Sequence, residues 1–378
     1  MKISLPAIFL IIPLWCAAET IDVFFGTIGK ITRGIYYASF DAETGRLSEA
    51  RLVAQIASPG FLAMDSENAF LYSTGVRDKM DRYCVAAYKI EENGKLDYLN
   101  SRATGDGMSA HLTVHPTDKF LLTAQYGGGS VSVFPIKPDG SLGNKSQHFE
   151  HKGGSNVVAA RQDKPYPHWT GFSPNGEFAF VPDLGLDRIV IYRVDAQNAS
   201  ISPHGHAQSL PGGGPRHMRF SVDGKYIYLL QELNLSVSTF AFDPETGIAS
   251  LKSTTQALSE EAKSRQNFNS SSEILVHPNG RFVYSANRGD DSITLYWADP
   301  QTGRLAAKQV ENIRGAFPRN INLDPEGKWL LAGGQHSNTV SVFAVDQESG
   351  YLIHQTGKGI NVPQPTCILF RRGEGAGP

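Results

Sequence analysis

The sequence predicts an all-β fold, a seven-bladed β-propeller closed by mixing strands from the two ends of the chain, and three observations carry that prediction. The first is a turn of the form acidic or polar residue, spacer, Gly, x, Leu that returns at roughly 50-residue intervals, the length of one four-stranded blade. Its copies begin Asp41-Ala-Glu-Thr-Gly45, Glu91-Glu-Asn-Gly94, Lys137-Pro-Asp-Gly140, Asp195-Ala-Gln-Asn-Ala199, Asp243-Pro-Glu-Thr-Gly247, Asp299-Pro-Gln-Thr-Gly303 and Asp346-Gln-Glu-Ser-Gly350. Seven turns ask for seven blades.

The second observation is a series out of phase with the first, in which an alternating apolar run leads through a tight turn into an aromatic-led run. Its members run from Phe61 to Phe70, His111 to Phe120, Trp169 to Phe178, His217 to Tyr226, Glu273 to Phe282 and Asn320 to Trp329. Turns such as Pro174-Asn-Gly176 and Asp223-Gly224 accept positive φ, so each member reads as a hairpin. The third observation lies at the ends. A seventh copy starts at Thr366-Cys367 and stops after one strand at Phe370, while residues 21–27 and 34–40 form a hairpin with no inner partner. Pairing the two, with the N-terminal strands outside the C-terminal one, closes the ring and removes the exposed edges of an open sheet.

The composition supports the same fold. With 38 Gly, 21 Pro and almost no stretch of helical periodicity in 378 residues, no domain boundary is expected inside residues 21–371. A formal net charge of −2 and the lack of any Lys/Arg run exclude nucleic acid as an expected partner. The N-terminus differs in character. Met1-Lys2, an apolar run to Trp15 and then Cys16-Ala17-Ala18 follow the order of a secretory signal peptide, which divides the chain into a leader, 1–18, and one propeller domain, 19–378. The run is too short to span a bilayer. The expectation is therefore a periplasmic or secreted monomer with no stable membrane insertion after cleavage. Cys84 and Cys367 are too few for a disulfide framework and read as small buried hydrophobes.

Alignment of the copies on their aromatic residue exposes two neighbouring polar columns. Nine residues before the aromatic stand Phe61, His111, Trp169, His217, Glu273 and Asn320, with Cys367 in the truncated copy; one residue earlier come Gly60, Ala110, His168, Arg216, Ser272, Arg319 and Thr366. Six residues after the aromatic come Tyr126, Leu184, Glu232, Arg288 and Gln335. Equivalent positions in a ring of blades share a radius, so His168, Arg216, His217, Glu232, Glu273, Arg288 and Arg319 should converge on one mouth of the central channel. A carboxylate or imidazole there can take a proton from water, and guanidinium groups can hold developing negative charge. No nucleophile elbow, His-Glu-x-x-His or paired-Cys motif occurs. The runs Gly127–Gly129 and Gly212–Gly214 read as bends at blade junctions, and the polar stretch 253–272 reads as a flexible lid over the mouth.

Segments including Gln125-Tyr126-Gly127-Gly128-Gly129, Pro167-His168, Gly214-Pro215-Arg216-His217, Asn287-Arg288-Gly289-Asp-Asp-Ser292 and Pro318-Arg319-Asn320 resemble the seven-bladed lactonase family, over roughly residues 22–370. That family includes propeller-type 6-phosphogluconolactonases and the fungal enzyme that cyclises carboxy-cis,cis-muconate. The resemblance implies a metal-independent site on His168, Arg216, Glu232 and Arg288; the columns add His217, Glu273, Arg319 and His111 as candidate substrate-binding residues, and no cofactor is expected. Glu232 or His168 would be the general base, and the partner would be a small lactone or carboxylate. Two positions depart from the family pattern: Thr170 stands where a second His is common, and Gln125 where Asn is. An exported sugar lactonase is the leading expectation. A muconate-cyclising enzyme, or a propeller that binds a ligand without catalysis, is the alternative.

Overall fold

The computed structural model describes residues 20–77 and 83–371; the expected leader, with Cys16, lies outside them. Seven antiparallel sheets of four or five strands make up the described chain, and they are the blades of one propeller. Blade 4, for example, runs outward from Gly171–Phe172 through Phe178–Asp183 and Arg188–Asp195 to Ser200–Gln208. Among the described residues no helix is long and apolar enough to cross a membrane.

The two sequence series have one physical origin. In six of the seven turns of the first series Gly adopts positive φ, 67° at Gly94 and 77° at Gly140. The missing side chain lets the turn lie flat on an aromatic ring of the preceding blade: Gly94 on Tyr37, Gly140 on Phe70, Gly247 on Phe178, Gly303 on Tyr226, Gly350 on Phe282, and Gly45 on Trp329 across the ring closure. A Cβ at any of these sites would overlap the ring. The recurring Gly and the recurring aromatic are thus the two halves of each blade-to-blade contact. Where blade 4 substitutes Ala199, at φ 51°, the residue still packs into the cluster that holds Phe120.

Closure follows the expected plan. Pro365–Phe370 is the innermost strand of a sheet whose next strands are Thr20–Thr27 and Gly34–Asp41, with Phe24 opposite Leu369 and Phe25 opposite Ile368. The Trp329 indole donates to Ala42 O at 2.7 Å, which ties the last blade to the first. Cys84 and Cys367 are free and buried.

Two expectations need correction. Gly127–Gly129 is not a blade junction: it turns between Phe120–Gln125 and Ser130–Pro135 inside blade 3. The stretch 253–272 is built from regular structure for most of its length. It completes the strand Ala249–Gln256, forms a short helix Glu260–Ser264 capped by Ser259, and enters the inner strand Ser270–Val276. Polar composition suggested a loop, but alternation and a Ser cap satisfy its backbone instead.

Candidate functional site

The two polar columns are adjacent in sequence, which ordinary strand alternation would send to opposite faces. The structure resolves this with register breaks. The inner strands of blades 5, 6 and 7 shift register between Pro215 and Met218, between Ser271 and Ile274, and between Pro318 and Asn320. A bulge leaves a residue unpaired and re-aims side chains, so both members of pairs such as Arg216 and His217 point into the channel. Glu232 follows the second strand of blade 5, with its N–H bonded to Gly214 O at 2.8 Å, and Arg288 ends the second strand of blade 6.

At the mouth these residues line a cavity of about 650 Å³ that also takes Tyr83, Tyr126, Arg161 and Phe268, a volume suited to a small ligand. His168, Arg216, His217, Glu232, Arg288 and Arg319 all reach it. His111 and Glu273 do not; they line a second cavity of about 310 Å³ with Trp169 and Asn320. Phe268 brings the end of the 253–272 stretch to the mouth face.

Glu232 is the electrostatic centre. Arg216 Nε donates to its Oε2 at 2.9 Å and Arg161 Nη2 to its Oε1 at 2.6 Å, while Arg288 Nη2 lies 3.4 Å and His168 Nε2 4.0 Å from Oε2. Burial pushes the Glu232 carboxyl up, but the charges of Arg288, Arg216 and Arg161 overcome it and hold the group well below the usual carboxylate range. Burial and the Arg216 charge drive the His168 and His217 imidazoles well below their ordinary value, so both rings are neutral near pH 7. His168 Nδ1 is buried without a partner among the described residues. Burial and the neighbouring Arg288 push Arg216 down to about 9, which leaves it cationic at neutral pH. Arg319 is half-buried, pushed down to about 10 by the same two causes, and bonded to no carboxylate among the described residues. Four guanidinium groups and a neutral imidazole around one locked carboxylate can hold an anionic group and an oxyanion.

Arg161 was not legible from the repeats. It comes from the irregular stretch between Gln147–Glu150 and Gly171–Phe172, which has no counterpart in other blades. The neighbouring Gln162 anchors that stretch through bonds to Leu184 O and Asp187. The departures from the family pattern fall away from the mouth. Thr170 is buried against His111 and Thr113, and Gln125 is buried against Thr123 and Ser130 within blade 3.

A family model described as "Lactonase, 7-bladed beta-propeller" matches residues 22–370. The chain is 32% identical to the 6-phosphogluconolactonase of Bacillus subtilis over 92% of its own length and 98% of that protein. It is 31% identical to the 6-phosphogluconolactonase of Formosa agariphila over 84% of its length and 90% of that protein. Among solved structures, the periplasmic gluconolactonase of Pseudomonas aeruginosa superposes with a TM-score of 0.85 at 26% identity, covering 94% of this chain and 99% of that one.

Proposed function

Since the chain belongs to the seven-bladed β-propeller lactonase family, we propose that it hydrolyses a sugar lactone at the mouth cavity, with His168 as general base and Arg216 and Arg288 as the oxyanion donors. The observation that carries this reading is the division of labour around Glu232. Both of its oxygens are held by guanidinium groups and its basicity is suppressed, so it serves as the anchor of the arginines and not as the base. His168 is neutral and turns Nε2 toward Glu232 Oε2. Water attacks the lactone carbonyl and passes a proton to the bare nitrogen of the neutral His168 ring, and the nearby carboxylate stabilises the resulting imidazolium. The carbonyl oxygen becomes an oxyanion facing the guanidinium groups. Collapse breaks the ring C–O bond, the leaving alkoxide takes the proton back from His168, and the product is the open hydroxy acid.

Arg319, with no carboxylate of its own among the described residues, supports a substrate that carries an anionic substituent such as the 6-phosphate. Release of residues 1–18 and export are part of the same proposal, supported by the basic, apolar, small-residue order of that segment. The test is a pH-indicator assay of the purified protein on glucono-1,5-lactone, its 6-phosphate and muconolactone. Faster turnover of the phosphorylated sugar lactone is expected, and turnover of none of the three would overturn the reading.

A further inference from the structure

His217 separates the mouth cavity from Glu273, which lies on its far side, 1% exposed. Glu273 Oε1 accepts from His217 Nδ1 at 2.9 Å, Arg219 Nη2 at 3.1 Å and Ile274 N at 3.0 Å, and its Oε2 accepts from Asn320 Nδ2 at 2.6 Å. The Asn320 amide is itself oriented, because its Oδ1 accepts from Ile368 N at 2.8 Å. On the opposite edge of the imidazole, Arg216 Nη1 lies 3.0 Å from Nε2. A carboxylate has no proton to give and a guanidinium no lone pair. Nδ1 must therefore carry the proton and Nε2 must be bare; the reverse tautomer would set a lone pair against the carboxylate and an N–H against an N–H.

Resting on the functional reading above, we propose that Glu273 is a positioning residue: it fixes His217 as the neutral Nδ1–H tautomer and, through that ring, aims the Arg216 guanidinium at Glu232 and the substrate oxyanion. The chain of contacts runs from Arg219 in the second cavity through Glu273, His217 and Arg216 to Glu232 at the mouth. Glu273 touches no part of the mouth cavity, so its contribution passes through His217.

Glu273→Gln tests this because an amide cannot satisfy both neighbours. With its oxygen toward His217, its NH₂ meets the Asn320 NH₂; with its NH₂ toward His217, it drives the ring to Nε2–H against Arg216. Asn320→Asp, added to Glu273→Gln, supplies an acceptor for the new amide and for Ile368 N and relieves the conflict. The tautomer is read from long-range ¹H–¹⁵N spectra of protein labelled at histidine, with His217 assigned by its loss in His217→Gln. We expect an Nδ1–H pattern in the wild type. In Glu273→Gln we expect a disturbed pattern and a kcat on glucono-1,5-lactone 6-phosphate lower by about 10- to 100-fold at near-constant KM. Recovery of both is expected in the double variant. A wild-type His217 that is Nε2–H or doubly protonated overturns the proposal, as does full kcat in Glu273→Gln. The spectra need no substrate, so a wild type that hydrolyses no lactone counts against the functional reading alone.

Discussion

Replacing Glu232 by Gln removes one charge at the point where three arginines meet. Arg161 and Arg216 reach the carboxylate at 2.6 and 2.9 Å and Arg288 at 3.4 Å, around a side chain that is 7% exposed. A Gln carbonyl can serve one of these donors, but its NH₂ faces another, and the guanidinium charges lose their only shared counter-ion within the cluster. Breaking a buried ion pair on one side costs about 3–5 kcal/mol, and the variant should lose stability of that order in chemical denaturation. Turnover should fall further than stability explains, by about 100-fold or more, because the His168 imidazolium loses the carboxylate 4.0 Å away and the oxyanion donors lose their anchor. The assays are a denaturant titration and initial rates of acid release from a lactone that the wild type accepts. Full turnover in Glu232→Gln would refute the reasoning, and so would unchanged stability.

Burial holds His111, His168 and His217 well below their ordinary range, so the unfolded chain takes up protons near pH 6.5 that the folded chain does not. Stability is therefore intact above that range and lost as pH falls, by up to about 1.4 kcal/mol per pH unit for each ring, with Glu232 adding the same sign at lower pH. A melting temperature that stays level from neutral to mildly acid pH would contradict this. Arg288→Lys should lower kcat by about tenfold or more, since a compact ammonium lacks the planar fork with which the guanidinium reaches Ser271 O and Glu232 and still presents N–H groups to an oxyanion; unchanged kcat would show that the fork is not used. Deleting residues 363–378 removes the inner strand Pro365–Phe370 from Thr20–Thr27, and the opened ring should melt lower and aggregate through its exposed edge. Equal melting of the two forms would refute ring closure as a source of stability.

The fold was legible because six of the seven blades repeat one packing contact, the turn Gly against the aromatic ring of its neighbour, and both residues leave a mark in the sequence. The truncated copy at Cys367 and the unpartnered N-terminal hairpin gave closure by the same logic. The mouth was legible in part. Columns locate radius but not depth, so His111 and Glu273 aligned with His217 although they line the second cavity. The register breaks that aim both columns inward have no residue signature in these copies. Arg161 was hidden for a different reason: it lies outside the repeats, in a stretch held by buried anchors such as Gln162 and His151. The proposed division of roles between Glu232 and His168 also rests on geometry. Glu232 and His168 are both plausible bases as residue types, and only the guanidinium contacts on both Glu232 oxygens separate them.

The central claim, that His168 is the base of a lactone-opening site, is tested most directly by the turnover of glucono-1,5-lactone 6-phosphate by the wild type and by His168→Gln, measured side by side on proteins of matched melting temperature. Gln fills the same space and accepts no proton. The account predicts a wild type that releases acid from the lactone and a variant slower by about 100-fold or more; equal rates in the two proteins would contradict it.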